Sequence, residues 1–224
     1  MHLIQAPNLQ LVSLHIPKTA GTSFRSILKQ VYGAKAVVRF DIINGEAYIE
    51  QKLIKGDKLP AHIKVIHGHF CYADLIQKVQ LPAGVKKITW LRHPVKRTVS
   101  NYFYLCSMLK HYLQEEKNKI DILSKMQRTI LEYAGDDNNK NRMSVFLRGS
   151  SLQDYDFVGL VEHFDEHLKL MSAKLGWPAD LKPIHHNETD KTKYSVNKEV
   201  ELKIEEWNKA DMELYALALK DRNN

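Results

Sequence analysis

Short apolar runs alternate along the chain with longer segments in which apolar residues recur at helical spacing. The first run, residues 11–16, ends at Pro17, and the segment after it ends at Gly33, a typical helix-terminating residue. Its apolar positions are Phe24, Ile27, Leu28 and Val31. Further runs occupy residues 36–40, 63–66, 87–91 and 157–161. This alternation predicts an α/β fold with a parallel sheet covered by helices.

The same spacing predicts further helices in the second half of the chain. A helix beginning at Pro94 presents one apolar stripe, formed by Val95, Val99, Tyr102, Cys106, Leu109 and Leu113. Another begins near His163 and stops at the Gly-Trp-Pro sequence of residues 176–178. One final amphipathic helix is predicted from Ile204, Trp207, Leu214 and Leu217. Since no internal repeat interrupts this order, we expect a single domain over residues 1–224.

Composition narrows the class of protein without identifying its ligand. The 224 residues are 44% hydrophobic, which is enough for a substantial core. The formal net charge of +7 favours an anionic partner, which could be nucleic acid, a membrane surface, a polyphosphorylated ligand or an acidic glycan. There is neither an apolar stretch of about 18 residues nor a signal-peptide pattern. We therefore expect a cytoplasmic protein without a membrane segment, unless this is a luminal domain whose anchor was removed.

The loop between the first predicted strand and helix has the residues of an anion site. A helix N-terminus offers backbone N–H groups and a partial positive charge. Here Lys18 adds a full charge, Gly21 allows close approach of the backbone, and hydroxyls surround them. The candidate ligand-binding residues are Lys18, Thr19, Ala20, Gly21, Thr22 and Ser23. The nucleoside-triphosphate loop G-x-x-x-x-G-K-[ST] has a later lysine, which disfavours it here. The alternative is that Thr22 or Ser23 only caps the helix.

A second candidate anion site follows the strand predicted at residues 87–91. Arg92 lies on the loop after that strand, and Ser100 falls on the second turn of the following helix. On a helical wheel Ser100 lies away from the apolar stripe, on the side of Lys96 and Arg97. The carboxyl edge of an open α/β sheet is where ligands bind. We therefore expect Arg92 and Ser100 to bind one phosphate there.

With both motifs in place, the sequence resembles the sulfotransferases that use 3′-phosphoadenosine-5′-phosphosulfate (PAPS). Residues 17–24 match their P-K-T-x-[GS]-T-[ST]-[FW] motif, and residues 92–100 match R-x-P-x-x-R-x-x-S. The likeness continues in the same order through residues 67–69, 141–149 and 158–177, within the carbohydrate group that includes the uronyl 2-O-sulfotransferases of heparan sulfate. This resemblance implies a three-layer α/β fold, with a parallel sheet flanked by helices, like that of the P-loop nucleoside-triphosphate hydrolases.

The resemblance also implies the ligands and the role of each motif. PAPS would be the donor and adenosine 3′,5′-bisphosphate (PAP) the product, with no metal and with a hydroxylated acceptor, a glycan or glycoconjugate. Residues Lys18 to Ser23 would bind the 5′-phosphosulfate, while Arg92 and Ser100 would bind the 3′-phosphate. By the same analogy, Lys18 would stabilise the charge that develops on the leaving phosphate.

His67 is the expected catalytic base, because it follows an apolar strand and imidazole titrates near neutral pH. The family's uronyl members use a histidine of the matching H-G-H, and His69 could assist or orient the acceptor. Two alternatives stay open: His67 is a structural residue, or it binds a metal with His69 and Cys71. No fourth ligand stands at a recognisable spacing for that metal.

A basic polar stretch at residues 185–194 lies where related enzymes close a loop over the nucleotide. Lys191, Thr192 and Lys193 could contact the 3′-phosphate, and Arg148 could contribute nearby; a solvated loop is the alternative.

Two rival functions follow from the same residues. A small-molecule or nucleotide kinase would share the fold, but the early lysine and the Arg92–Ser100 pair argue against ATP. A nucleic-acid-binding module would interleave basic and aromatic residues, as residues 96–104 do in part, yet Tyr102 belongs to the apolar stripe.

Overall fold

The computed structural model describes residues 3–114, 127–182 and 195–221, with the side chains of residues 111–114 excepted. The predicted contacts of Lys191, Thr192 and Lys193 lie outside these ranges. The chain divides into two compact units. An α/β unit comprises Met1–Leu91 and Met143–His186, and a helical unit comprises Arg92–Arg142 and Asn187–Asn224.

A seven-stranded sheet organises the α/β unit, in the order β5-β4-β3-β6-β2-β8-β9. Its strands are β2 (Leu11–Leu14), β3 (Val37–Ile43), β4 (Glu46–Ile49), β5 (Lys52–Leu53), β6 (Val65–Gly68), β8 (Lys86–Leu91) and β9 (Phe157–Leu160). The five strands from β3 to β9 in this order pair in parallel. These are the five strands expected from the apolar runs, so the α/β class with a parallel sheet is confirmed.

Three further strand pairings were not expected from the sequence. The strand β4 is antiparallel to β3 and to β5, so one edge of the sheet is a meander. In the turn before β4, Asn44 and Gly45 have φ values of 51° and 76°. Asn-Gly is a sequence that readily adopts this left-handed conformation in hairpin turns. A separate two-stranded ladder joins β1 (Ile4–Gln5) to β7 (Val79–Gln80) in parallel.

One face of this sheet packs against two helices of the same unit. They are α1 (Gly21–Tyr32), which follows β2, and α6 (Phe164–Leu175), which follows β9. Their buried residues join strand residues in one core, formed by Leu11, Phe24, Ile27, Leu28, Val37, Val65, Ile88, Trp90, Phe157, Leu168, Met171 and Trp177. Both helices end at glycines with positive φ, Gly33 and Gly176, as the sequence predicted. Two shorter helices complete the list. Helix α2 (Tyr72–Lys78) follows β6, and helix α5 (Arg142–Phe146) precedes β9.

Helices alone build the other unit in the described residues. They are α3 (Pro94–Gln114), α4 (Ile130–Gly135), α7 (Lys198–Trp207) and α8 (Lys209–Lys220). Val95 and Val99 of the predicted α3 stripe are buried with Ala134 and Ile204. Among the helices that the structure describes, none is both long enough and apolar enough to cross a membrane.

The predicted final helix is wrong in one respect, because two helices take its place. Asn208 has φ −116° and ψ 35° and separates α7 from α8. Its buried amide donates to the carbonyl of Ile204 at 2.8 Å and accepts from the N–H of Asn141 at 2.8 Å. Because of this break, the predicted apolar residues do not lie on one continuous helix face. Ile204 is fully buried, whereas Leu217 is 56% exposed.

Candidate functional site

The loop predicted to bind an anion joins β2 to α1 and has an unusual backbone. Lys18 and Ala20 both adopt positive φ values, 71° and 62°, which non-glycine residues rarely take. Thr19, between them, is buried, and its hydroxyl donates to the carbonyl of Ile16 at 2.8 Å. Alternation of φ sign turns successive N–H groups toward one concave side, which is a backbone arrangement that binds anions. Thr19 therefore holds the loop in shape with its side chain.

The start of α1 is suited to an anion as well. Ala20 is the N-cap residue, and among the described residues no side chain caps this end or brings an acidic group into the first turn. Thr22 and Ser23 are thus inside the helix and do not serve as its cap, which answers the alternative raised by the sequence. The first N–H groups of a helix have no partner within it. Gly21, Thr22 and Ser23 consequently present the positive end of α1 beside Lys18.

Both predicted histidines lie beside this loop, together with a third histidine that the sequence did not single out. His15 follows β2, and its ring lies between those of His67 and His69. The ring centroids are 4.9 Å apart for His15 and His67, with planes at 13°, and 4.4 Å apart for His15 and His69, with planes at 31°. We call these three residues the histidine stack.

His67 is the buried end of the stack. Its Nδ1 lies 2.9 Å from the hydroxyl of Ser13, and its ring also hydrogen-bonds to the backbone of Gly21. The residue is 4% exposed. Burial, together with the charges on His69 and Arg25, lowers the pKa of His67 from 6.5 to about 3. His67 is therefore neutral near pH 7, and its ring is held by hydrogen bonds to Ser13 and Gly21.

His69 is the more accessible end of the stack. Its Nδ1 donates to the backbone carbonyl of His15 at 2.7 Å, since a carbonyl oxygen can only accept. In the neutral ring the lone pair is then on Nε2, the nitrogen that can take a proton. The backbone N–H of His69 donates to Asp41 at 2.9 Å, and the other carboxylate oxygen of Asp41 accepts from Arg39 at 2.6 Å. The backbone and the tautomer of His69 are thus both fixed.

The second candidate motif lies in the helical unit. Ser100 is 5% exposed, and its hydroxyl oxygen is buried without a hydrogen-bond partner among the described residues. Arg97, one turn earlier on α3, is 1% exposed and donates to the carbonyl of Asn139 at 3.2 Å. The side of α3 carrying Ser100 is therefore buried at Arg97 and exposed at Lys96. A buried hydroxyl without a partner fits a site completed by a ligand oxygen.

Other candidates from the sequence are not part of the loop and the histidine stack. Arg148 is exposed and lies 3.5 Å from a carboxylate oxygen of Asp74. Cys71 is a free thiol whose sulfur contacts the carbonyl of Arg148 at 3.4 Å. Within the described ranges, no group of three or more His, Cys, Asp or Glu side chains could hold a metal ion.

Sequence reasoning missed His15, Ser13 and Asp41, although Ser13 and His15 had a weak signal. Ser13 and His15 alternate along one apolar run, which places both on one side of β2. In the parallel register Ser13 pairs with His67, and Arg39 pairs with His67 from the other neighbouring strand. Strand order, which the sequence does not give, was needed to bring these residues together.

Comparison with known proteins identifies the family. The model of the sulfotransferase family matches residues 1–218. No curated protein sequence matches the chain. Among solved structures, a sulfotransferase from Alicyclobacillus acidocaldarius is 14% identical, with 94% of this chain and 95% of that chain covered and a TM-score of 0.48. Mouse sulfotransferase SULT7A1, complexed with PAP, is 14% identical, with 85% of this chain and 64% of that chain covered and a TM-score of 0.40. Because the family model spans nearly all of the sequence, the chain belongs to the sulfotransferase family.

Proposed function

We propose that the protein transfers the sulfuryl group of PAPS to a hydroxyl group of a carbohydrate acceptor. The observation that carries the proposal is the arrangement at the start of α1. An uncapped helix N-terminus, Lys18 and a loop of alternating φ sign adjoin a histidine whose tautomer leaves Nε2 able to accept a proton. An anion site next to a base suits attack by a hydroxyl on an anionic donor.

In this reaction the acceptor oxygen forms a bond to sulfur while the bond from sulfur to the phosphate oxygen breaks. The hydroxyl proton passes to the base, and PAP leaves with the bridging oxygen. Lys18 and the N–H groups at the start of α1 stabilise the negative charge on that oxygen. Arg92 and the buried hydroxyl of Ser100 bind the 3′-phosphate of the donor, as their sequence motif implies.

Of the two candidate histidines, the geometry favours His69 as the base. His67 is buried, its hydrogen bonds go to Ser13 and Gly21, and its pKa of about 3 makes it a weak proton acceptor. His69 is more accessible, and its hydrogen bond to the His15 carbonyl places the lone pair of the neutral ring on Nε2. We assign His67 the role of holding the stack against Gly21 and His69 the role of removing the proton.

A carbohydrate acceptor is supported by the sequence resemblance to the carbohydrate group, and the net charge of +7 is compatible with an anionic glycan. A panel of glycans and small hydroxylated compounds, incubated with labelled donor, tests the acceptor class.

Titration calorimetry with PAP and AMP tests the donor. We expect PAP to bind at least about 10-fold more tightly than AMP, since a charged hydrogen bond contributes roughly 1.5–3 kcal/mol. Arg92→Ala and Ser100→Ala should remove most of this preference, whereas Lys96→Ala, an exposed change on the same helix, should preserve it. His69→Ala should retain PAP binding and lose turnover by roughly 100-fold or more. Equal affinities of the wild-type protein for PAP and AMP would exclude the donor assignment.

A further inference from the structure

The side chain of His15 touches both parts of the proposed active site. Its ring is stacked on that of His67, with centroids 4.9 Å apart, and is tilted against that of His69, with centroids 4.4 Å apart. The ring edge also lies where a side chain at Gly21 would be, because a Cβ built there comes within 1.8 Å of His15 Nε2. One imidazole therefore packs on the first residue of α1 and on the candidate base.

The main chain of His15 reinforces this connection. Its carbonyl accepts the Nδ1–H of His69 at 2.7 Å, and its N–H donates to the carbonyl of Gly68 at 2.9 Å. The backbone thus selects the tautomer of His69, while the side chain limits the tilt of the His69 ring. Gly21 leaves the space that the His15 ring needs, which adds a second reason for glycine at this position.

We infer that His15 is a positioning residue, which aligns His69 with the anion-binding start of α1. This inference rests on the proposed function, in which His69 takes the acceptor proton. Movement of Gly21 toward the stack would press on the His15 ring and turn His69 away from its orientation. A displacement of about 1 Å at a reacting group can lower turnover by roughly 100-fold.

The electrostatic surroundings are consistent with this role. Burial lowers the pKa of His15 well below 6.5, and the charges of His67, His69, Arg39 and Lys18 act in the same direction. A neutral His15 presents an aromatic face to His69 when that ring becomes an imidazolium during the reaction. A charged His15 would instead oppose the proton transfer.

Two replacements of His15 separate the stacking contact from any chemistry of its nitrogens. His15→Phe retains a flat ring, whereas His15→Ala removes the ring. We expect His15→Ala to lower kcat by roughly 10- to 100-fold while the Kd for PAP changes less than about 3-fold. His15→Phe should keep kcat within about 5-fold of wild type. Wild-type kcat in His15→Ala, or an equal loss in His15→Phe, would overturn the inference.

A double-mutant cycle tests the contact with Gly21. Gly21→Ala alone should lower kcat, because its methyl group displaces the His15 ring. In the His15→Ala background the same change should lower kcat less than about 3-fold further. Full additivity of the two effects would contradict the proposed link.

Histidine-ring NMR gives a readout that is independent of turnover. In all three ligand-free proteins we expect His69 to carry its proton on Nδ1, because the His15 carbonyl is retained. In His15→Ala we expect the His69 ring resonances to broaden through exchange between ring orientations, whereas in the wild-type protein and in His15→Phe they should stay sharp. An unchanged His69 spectrum in His15→Ala would overturn the inference even if the enzyme failed to use PAPS. Failure of the wild-type protein to transfer sulfuryl from PAPS would instead count against the proposed function.

Discussion

At the scale of single residues, the burial of His67 couples the proposed active site to stability. The pKa of His67 is about 3 in the folded protein, against 6.5 for an ordinary histidine, mainly because burial penalises the charged ring. As pH falls below 6.5, the unfolded chain binds a proton at this residue and the folded chain does not. Stability from His67 is therefore complete above pH 6.5 and is lost progressively toward pH 3.

Denaturant unfolding at two pH values tests this coupling. Between about pH 7.5 and about pH 5 we expect His67 to account for a loss of about 2 kcal/mol in the free energy of unfolding. The matched variant is Ser13→Ala with His67→Leu, which removes the histidine together with the hydroxyl that bonds to it. This variant should lose about 2 kcal/mol less over the same interval. An identical pH dependence in both proteins would show that His67 is not buried in its neutral form.

Residue types and spacing were sufficient to single out Lys18, Gly21, His67 and His69 as candidates, because each lies in a motif. They were not sufficient to assign the roles of the two histidines. The distinction depends on burial and on the His15 carbonyl, which are properties of neighbouring strands and not of the motif. The positive φ values at Lys18 and Ala20 could not be predicted from the sequence either, since neither residue type favours them.

At the scale of elements, Gly68 allows β6 to approach β3 at the position between His67 and His69. A Cβ at Gly68 would lie 1.8 Å from the backbone carbonyl oxygen of Phe40. Gly68→Ala should therefore separate the strands, with an expected loss of about 3 kcal/mol in the free energy of unfolding. Gly56→Ala is the matched control, because nothing lies within 4 Å of its Cβ position and its φ is not positive.

Urea unfolding of the two glycine variants decides the point. Gly56→Ala should remain within about 0.5 kcal/mol of wild type. Turnover should fall in Gly68→Ala, because the residues on both sides of it belong to the histidine stack. If Gly68→Ala had the same free energy of unfolding as Gly56→Ala, separation of β6 from β3 would not destabilise the fold, and the prediction would be wrong.

The elements that the sequence predicted and those that it missed differ in what determines them. Buried parallel strands are continuous apolar runs, and β2, β6 and β8 were found within a few residues of their observed bounds. The edge strands β4 and β5 are short and partly exposed, so they lack such a run. The interruption at Asn208 depends on a distant partner, Asn141, which no local pattern contains.

At the scale of the whole molecule, the net charge of +7 is a property distinct from the anion sites. In the proposed function, motif residues such as Lys18 act on a bound ligand at short range. The remaining Lys and Arg side chains act before binding, because a positive electrostatic field raises the association rate of an anionic ligand. Affinity and arrival rate should therefore respond to different substitutions.

Four exposed lysines test this separation: Lys35, Lys55, Lys169 and Lys220. Each Lys→Glu change removes two units of positive charge, so the fourfold variant lowers the formal net charge from +7 to −1. We expect the association rate constant for PAP, measured by stopped flow at low salt, to fall roughly 3- to 10-fold while the dissociation rate constant is unchanged. At about 0.5 M salt the two proteins should associate at similar rates, since screening removes the long-range field. A change confined to the dissociation rate would place these lysines in contact with the ligand and would refute steering by net charge.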